Sequence, residues 1–213
     1  MGAIMRILVA CEESQAVTKA FRSKGHEAYS ADIQDCSGGH PEWHIKADVL
    51  PLLGEKWDMV IAFPPCTYLS NAGARWLYRG GKLQEERYKK GLEGKAFFMR
   101  FLNSNIPRIC VENPEPSTIF DMPSPTQIIE PYEFGHPYSK KTFLWLRGLP
   151  PLRPTKYIWD HTPFVKSSSH RGKYQPPTKN AKERSKTFTG VAAAMAEQWT
   201  NPIWMQYPLF EEL

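Results

Sequence analysis

Short, predominantly apolar runs that alternate with helix-length segments are the feature that most constrains the fold of this 213-residue chain. Residues 5–10 (MRILVA), 57–63 (WDMVIAF) and 107–111 (PRICV) have the length of buried strands. Gln15–Lys24 follows the first run with apolar residues at helical spacing, and Glu27–Ala31 predicts a second strand. Strands that alternate with helices form mostly parallel sheets covered on both faces. The sequence therefore predicts an α/β fold with a single doubly wound, mostly parallel sheet.

The later part of the chain extends this pattern. Gln84–Asn103 has apolar residues at helical spacing, with Leu92 on its predicted apolar side, and Thr189–Trp199 is a helix of small residues. Gln127–Pro131 and Lys141–Leu146 predict antiparallel or edge strands. These elements are sufficient to complete an open sheet with helices on both faces.

A proline- and base-rich stretch interrupts the pattern at residues 148–186. The chain length is typical of one domain, so we predict a single domain over residues 1–213 with this stretch as a loop insertion. The chain carries 27 Lys and Arg against 22 Asp and Glu, a net charge of +5. A net positive charge is compatible with a polyanionic partner such as nucleic acid.

Composition argues against membrane and secreted proteins. No apolar run approaches the roughly 18 residues of a membrane-spanning helix, and the first residues lack the apolar core of a signal peptide. The cysteines are too few and too scattered for a disulfide framework; they are Cys11, Cys36, Cys66 and Cys110. We therefore expect a cytoplasmic protein with reduced thiols and no membrane partner.

Polar side chains follow the buried strands at their carboxyl ends. They are Cys11, Glu12, Asp32, Asp48, Cys66 and Glu112. Ligands bind at the carboxyl ends of the strands in open α/β sheets. Asp32 closes the second strand about 20 residues after the first turn, as expected for an acceptor of ribose hydroxyl groups. Loops are polar in most proteins, so the prediction of a ligand site depends on the recurrence of polar residues at successive strand ends and not on any one of them.

The sharpest local motif is Phe63-Pro64-Pro65-Cys66, directly after a buried strand. Two prolines restrict the backbone and so fix the direction of the following thiol. Glu112-Asn113 ends a later strand, and a thiol beside a carboxyl group suits covalent catalysis with acid assistance. The alternative is a structural cysteine beside a proline turn.

With these motifs in this order, the chain resembles the cytosine carbon-5 methyltransferases from about Met5 to Trp199. The matching segments are Ile7–Phe21, Asp32, Asp48-Val49, Pro64-Pro65-Cys66, Glu112-Asn113, Gly135–Phe143 and Thr189–Ala192. The resemblance implies a Rossmann-like methyltransferase fold, S-adenosyl-L-methionine as cofactor, no metal, and transfer of a methyl group to carbon 5 of cytosine in DNA.

The resemblance also implies roles for individual residues. Cys66 is implied as the nucleophile at carbon 6, Glu112 as the hydrogen-bond partner of the cytosine ring, and Lys140 as support for the base. The implied cofactor-binding residues are Ala10, Cys11, Glu12, Asp32, Asp48, Val49, Pro64, Thr189 and Gly190. The implied substrate-binding residues are Pro65, Asn113, Arg171, Lys173 and Arg184.

The chain departs from the family pattern in three places. Its first motif has no glycine after the strand, where Cys11–Ser14 stand instead. In the later motif Tyr138, Lys140 and Thr142 replace the glutamine and two arginines of the family, and Thr189 replaces the asparagine of the last motif. Residues 148–186 replace a whole target-recognition domain.

The end of that insertion is strongly basic. Residues 166–186 hold seven Lys or Arg and one acid, a pattern that favours contact with phosphates or else a solvated loop. The tryptophans are predicted to be mostly core or loop anchors; Trp76, together with Tyr78, could instead stack on a base. The spacing of Cys36, His40 and His44 only loosely resembles a metal site and favours a loop.

Two alternatives to DNA methylation remain open from the sequence. One is carbon-5 methylation of a free cytidine nucleotide. The other is a catalytically degraded protein that binds nucleic acid or serves as a partner subunit. The sequence also leaves the oligomeric state open, with a homodimer as one alternative.

Overall fold

The computed structural model describes residues 3–74, 76–164 and 180–201. The strands are β1 (Arg6–Ala10), β2 (Glu27–Asp32), β3 (His44–Lys46), β4 (Met59–Ala62), β5 (Tyr78–Arg79), β6 (Lys82–Leu83), β7 (Ile109–Asn113), β8 (Gln127–Ile129), β9 (Tyr138–Ser139), β10 (Thr142–Arg147) and β11 (Thr162–Pro163). The helices are α1 (Ala16–Ser23), α2 (Val49–Leu52), α3 (Asn71–Ala74), α4 (Glu85–Leu102), α5 (Ala181–Ser185) and α6 (Thr189–Gln198).

Seven strands form one sheet in the order β3-β2-β1-β4-β7-β10-β8. β1 pairs in parallel with β2 and β4, and β4 pairs in parallel with β7. β10 is antiparallel to both of its neighbours, β7 and β8. The predicted α/β fold with a mostly parallel sheet is confirmed, as are the antiparallel strand and the edge strand predicted after residue 126.

Helices cover both faces of the sheet, so the strands are buried on each side. Ile7 and Val9 of β1 belong to the core beneath α1 and α6, and Leu8 and Ala10 belong to the core beneath α4. All four side chains are fully buried. A strand buried on both faces has no polar alternation, which is why the apolar runs located these strands in the sequence.

One sequence prediction about surface exposure is wrong, and one tryptophan is an exception to the predicted anchoring role. Leu92 is exposed, whereas α4 buries Gly91, Phe98 and Phe101. A Cβ at Gly91 would lie 2.1 Å from Cζ of Phe120, so the close approach of this ring sets the buried face. Trp159, predicted with the anchoring tryptophans, is 83% exposed.

The other tryptophans range from buried to exposed, with Trp43 half-buried. Trp57, Trp145 and Trp199 are buried, as predicted, and Trp76 is exposed; Trp204 lies outside the described residues. None of the described helices is long and apolar enough to cross a membrane.

Candidate functional site at the carboxyl ends of the strands

The loop that follows β4 holds Cys66 in a fixed place at the edge of the sheet. The backbone N–H of Phe63 donates to the carbonyl of Ala10 at 3.0 Å, which continues the sheet for one residue beyond β4. Pro64 is buried, Pro65 is exposed and Cys66 is half-buried. The carbonyl of Cys66 accepts hydrogen bonds from the backbone of Leu69 and Ser70 at 3.1 and 3.0 Å. The loop therefore turns sharply at the thiol.

Asn113 connects this loop to the neighbouring strand. Its Nδ2 donates to the carbonyl of Pro64 at 3.3 Å, and the residue is 1% exposed. Its Oδ1 is buried and has no hydrogen-bond partner among the described residues. A buried carbonyl oxygen without a partner is costly, so this atom lacks a hydrogen bond that buried acceptors normally have.

The structure brings Cys66, Glu112 and Lys140 within electrostatic range of one another. Burial raises the pKa of the Cys66 thiol, and the negative charge of Glu112 raises it further, while the ammonium group of Lys140 lowers it. Burial also raises the pKa of Glu112, against the opposing effect of Lys140. The three predicted catalytic residues therefore form one coupled group.

Lys140 extends from the sheet toward the insertion. Its backbone N–H donates to Oε2 of Glu130 at 2.7 Å, and its Nζ donates to the carbonyl of Arg184 at 3.0 Å. The ammonium group also lies 5.9 Å from the ring centre of Phe188. The cation is thus held between Glu112 and the segment that joins α5 to α6.

A small cavity lies between these groups. Its volume is about 20 Å³, enough for about one water molecule. Residues from the sheet, from the α5–α6 connection and from α6 line it, among them Phe63, Glu112, Lys140, Phe188, Val191 and Met195. The connection formed by Ser185–Phe188 therefore closes the space beside Glu112.

A second cluster of polar groups lies beyond β1, toward β2. Burial raises the pKa of Cys11 to about 12, and the charges of Asp32 and Asp48 contribute to the rise. Both aspartates therefore lie near this thiol. Oδ1 of Asp32 accepts from the backbone of Gln34 at 2.9 Å, and Oδ1 of Asp48 accepts from the backbone of Leu50 at 3.0 Å. These bonds fix the direction of each carboxylate.

The loop from β1 to α1 makes left-handed turns without glycine. Cys11 and Gln15 both have φ of 58°, a conformation that costs a residue with a Cβ roughly 1–2 kcal/mol. Hydrogen bonds of Gln15 offset part of this cost: Nε2 donates to Oγ of Ser30 and to the carbonyl of His40 at 3.2 and 2.8 Å. The loop therefore adopts a backbone conformation that glycine favours, although neither Cys11 nor Gln15 is a residue type that is typical of turns.

Glu12 uses its carboxylate to cap helix α1. Oε1 accepts from the backbone of Val17 at 2.6 Å, and Oε2 accepts from the backbone and the hydroxyl of Thr18 at 3.2 and 2.7 Å. A carboxylate at a helix N-terminus satisfies free N–H groups and is stabilised by the helix dipole. Both oxygens accept bonds from the helix and the residue is 4% exposed, and its predicted contact with the cofactor stays a prediction.

The start of α6 packs against the turn before β9. The backbone N–H of Gly190 donates to Nε2 of His136 at 2.9 Å. A Cβ at Gly190 would lie 1.9 Å from the carbonyl oxygen of Phe134. Gly190 is therefore required for helix packing, and Thr189 is the first residue of the helix. Their predicted contact with the cofactor stays a prediction.

The end of the insertion docks on the loop after β1. Nζ of Lys182, in α5, lies 3.4 Å from Oε2 of Glu13. No local pattern in the sequence indicates this contact, because the two residues are 169 positions apart. Arg184 also lies in α5, whereas Arg171 and Lys173 lie outside the described residues.

The described residues contain no group of three or more His, Cys, Asp or Glu that could hold a metal ion. His40 stacks on Trp43 with ring centres 3.8 Å apart, and His44 Nδ1 lies 2.9 Å from Oγ of Ser30. These two histidines therefore have structural partners.

No protein-family model and no curated protein matches the chain. Similar solved structures include the Dnmt2 methyltransferase of S. pombe, which is 13% identical with a TM-score of 0.44 over 74% of this chain and 52% of that chain. Another is the methyltransferase EhMeth of Entamoeba histolytica, 14% identical with a TM-score of 0.46 over 73% of this chain and 58% of that chain. This chain thus matches little more than half the length of either protein, and the likeness assigns no activity to it.

Proposed function

We propose that the protein transfers a methyl group from S-adenosyl-L-methionine to carbon 5 of cytosine in DNA, with Cys66 as the covalent nucleophile. The observation that carries this proposal is the meeting of three groups: the Cys66 loop after β4 is joined to the end of the neighbouring β7 by the Asn113–Pro64 hydrogen bond, and Glu112 of β7 lines one cavity with Lys140. The resemblance of the motifs to the cytosine carbon-5 methyltransferases supports the choice of base and atom.

Carbon 5 of cytosine is a poor nucleophile, and addition of a thiolate to carbon 6 changes this. A bond forms between Sγ of Cys66 and carbon 6, and the electron pair of the 5,6 double bond makes carbon 5 enamine-like while a proton adds to the ring nitrogen. After methyl transfer, a base takes the carbon-5 proton, the 5,6 double bond re-forms as the thiolate leaves carbon 6, and the ring nitrogen returns its proton to Glu112. Nucleophilic catalysis of this kind replaces one difficult step by easier ones.

Glu112 is suited to supply the proton to the ring nitrogen. Burial raises its pKa, so it retains a proton at a higher pH than an exposed glutamic acid does. A protonated Glu112 also lacks the charge that raises the pKa of Cys66. One proton on Glu112 therefore favours the thiolate and the developing charge on the base at the same time.

Lys140 stabilises the negative charge of this group. Its ammonium lowers the pKa of both Cys66 and Glu112. A lysine provides a point charge and not the planar pair of donors of arginine. We therefore propose that Lys140 supports the thiolate and the bound base by charge, in the place of the family's arginine.

The cofactor supplies an electrophilic methyl group when it is bound. The chemistry of the strand-end cluster fits this molecule, because the carboxylates of Asp32 and Asp48 can accept hydrogen bonds from ribose hydroxyls and an adenine amine. Val49 is buried directly after Asp48 and provides apolar surface. Oδ1 of Asn113, buried without a described partner, is a further acceptor on the β7 side of the Cys66 loop.

A cytosine ring needs more space than the cavity beside Glu112 provides. The Ser185–Phe188 connection lines this cavity, and two contacts hold the adjoining α5 in place: Lys140 Nζ to the carbonyl of Arg184, and Lys182 to Glu13. We propose that substrate binding displaces this connection. Both contacts are polar and partly exposed, so they are weak enough to be exchanged for contacts with substrate.

The test is transfer of labelled methyl from S-adenosyl-L-methionine to duplex DNA, single-stranded DNA and cytidine monophosphate in parallel. We expect 5-methylcytosine in the polymer, no transfer by Cys66→Ala, and normal transfer by Cys36→Ala, which removes another half-buried thiol. Label only in the nucleotide would replace DNA by the free nucleotide as substrate. No label with folded wild-type protein would leave the nucleic-acid-binding or partner-subunit alternative.

A further inference from the structure

Helix α4 runs alongside the loop that carries the nucleophile. A Cβ at Gly94 would lie 3.4 Å from Cγ of Leu69, and Leu69 is fully buried three residues after Cys66. Arg87, Lys90 and Gly94 are spaced by three and four residues, so they share one side of the helix. The packing of this side against the loop therefore brings two cations to the loop.

Both cations contact one aromatic ring of the loop. Cζ of Arg87 lies 4.9 Å from the ring centre of Tyr68, and Nζ of Lys90 lies 5.7 Å from it. Tyr68 stands two residues after Cys66, inside the turn in which the carbonyl of Cys66 accepts from the backbone of Ser70 at 3.0 Å. We call these three side chains the Tyr68 cluster. The shared ring holds both charges in one place beside the nucleophile.

Arg87 also connects α4 to the helix that follows the loop. Its Nε and Nη2 donate to the carbonyl of Gly73, in α3, at 3.3 and 3.0 Å. Within the described part of the chain, neither Nη1 of Arg87 nor Nζ of Lys90 has a hydrogen-bond acceptor. Arg87 is half-buried and Lys90 is exposed. The guanidinium group is therefore fixed in direction, and both cations have donors left for a ligand.

No carboxylate neutralises the Tyr68 cluster in the described part of the structure. Neither Arg87 nor Lys90 forms an ion pair there, although Glu86 stands four residues before Lys90, a spacing that favours one. Residues 59–84, which lead from β4 to α4, contain no Asp or Glu. Two like charges on one ring repel each other, and a bound anion offsets this repulsion. The missing partner is an anion from outside the chain.

From this geometry we infer that the Tyr68 cluster binds a phosphate group of the substrate next to the target cytosine. The choice of phosphate rests on the proposed function, because a cytosine nucleotide at Cys66 brings a phosphate near the neighbouring Tyr68. Arg and Lys are the side chains that bind phosphates through charge-assisted hydrogen bonds. Tyr68 is a positioning residue: it holds two flexible side chains before the anion arrives, which lowers the entropic cost of binding.

Binding of a labelled cytosine-containing single-stranded DNA oligonucleotide tests the inference, with fluorescence anisotropy measured over a range of salt concentrations. Each phosphate contact with a single strand contributes about 0.7 to the slope of log affinity against log salt. Lys90→Gln should therefore lower this slope by about 0.7. Lys89→Gln is the matched control, because Lys89 is the adjacent exposed lysine of α4 and is not one of the two cations on the Tyr68 ring. It should leave the slope unchanged.

The ring gives a second readout. A cation–aromatic contact at an exposed site contributes about 0.5–1 kcal/mol, so Tyr68→Leu should weaken binding about 2- to 5-fold. The salt slope should stay the same, because both cations remain. Tyr68→Phe keeps the ring and should retain most of the affinity. Loss of affinity in Tyr68→Phe equal to that in Tyr68→Leu would contradict the positioning role of the ring.

Calorimetric titration with cytidine monophosphate separates the two sources of phosphate. A lower oligonucleotide slope in Lys90→Gln identifies a DNA strand as the source. Weaker binding of cytidine monophosphate by Lys90→Gln, with an unchanged oligonucleotide slope, identifies a free nucleotide. The inference is overturned if Lys90→Gln matches the wild type in both assays, or if Lys89→Gln lowers the slope as much as Lys90→Gln does.

Binding is measured without S-adenosyl-L-methionine, so it does not depend on methyl transfer. Binding that depends on Lys90, without methyl transfer to any substrate, would refute the proposed function alone. Methyl transfer by a protein whose binding does not depend on Lys90 would refute this inference alone.

Discussion

Asn113 Nδ2 donates a hydrogen bond to the carbonyl of Pro64 at 3.3 Å and so joins the end of β7 to the loop that carries Cys66. Glu112 precedes Asn113 on the same strand. One dipeptide therefore contributes an ionisable group to the site and fixes the backbone on which the nucleophile stands.

Replacement of Asn113 by Ala should reduce the free energy of unfolding by about 1–3 kcal/mol, because the buried Pro64 carbonyl loses its donor. It should also slow methyl transfer, because Cys66 is held less firmly. Chemical denaturation and the transfer assay measure the two effects. Asn103→Ala, at an exposed asparagine after α4, is the control and should change stability by less than about 0.5 kcal/mol. Equal effects of the two variants would contradict the structural role of Asn113.

Charge changes around Cys66 should alter its reactivity in opposite directions. Lys140→Met removes the cation that lowers the pKa of the thiol, and Glu112→Gln removes the anion that raises it. Because the thiolate is the reactive form, iodoacetamide should modify Cys66 more slowly in Lys140→Met and faster in Glu112→Gln at the same pH. Mass spectrometry of each site measures the rates, with Cys36 as an internal reference. A change of the same sign in both variants would contradict the coupling.

The ionisation of Glu112 should make the free energy of unfolding depend on pH. Its pKa is raised in the folded protein, so the folded state retains a proton that the unfolded chain releases near pH 4.3, the ordinary value for glutamic acid. Stability is therefore lost as pH rises from about 4.3 through the raised pKa. Glu112→Gln cannot ionise, and its stability relative to the wild type should increase across this window.

Chemical denaturation of both proteins at several pH values measures the Glu112 effect. A stability difference that does not change with pH would mean that Glu112 ionises equally in the folded and unfolded states.

The left-handed backbone conformation of Cys11 can be tested by comparing the stability of two variants. Cys11→Ala and Cys11→Gly both remove the thiol, but only glycine adopts a φ of 58° without strain. The glycine variant should therefore be more stable than the alanine variant by about 1 kcal/mol. Thermal and chemical denaturation measure the difference. At Lys24, which has a φ of −92°, the same pair of substitutions should not favour glycine.

The strands and the strand-end location of the site could be predicted because they depend on local signals. The run Met59–Ala62 is buried on both faces, so its sequence is uniformly apolar, and the proline pair after it fixes where Cys66 lies. The hydrogen bond from Asn113 to Pro64 spans 49 residues, and no local pattern indicates it.

Some contacts in the site could not be predicted, because they are tertiary contacts of charged residues that have more than one plausible role. The carboxylate of Glu12 caps α1 five and six residues later in the chain, a role that its place after β1 does not indicate. Lys182 is one of the seven Lys or Arg of residues 166–186, and its contact with Glu13 is not indicated by its charge alone. In each case composition gives the charge but not the partner.

The most direct test of the account is a covalent trap with single-stranded DNA that contains 5-fluorocytosine, which has no carbon-5 proton to lose after methyl transfer. In the presence of S-adenosyl-L-methionine, we predict a complex stable to denaturation whose mass equals protein, oligonucleotide and one methyl group, attached at Cys66. Cys66→Ala should form none. Methyl transfer to ordinary cytosine by Cys66→Ala, or by the wild type without any trapped complex, would contradict the covalent mechanism.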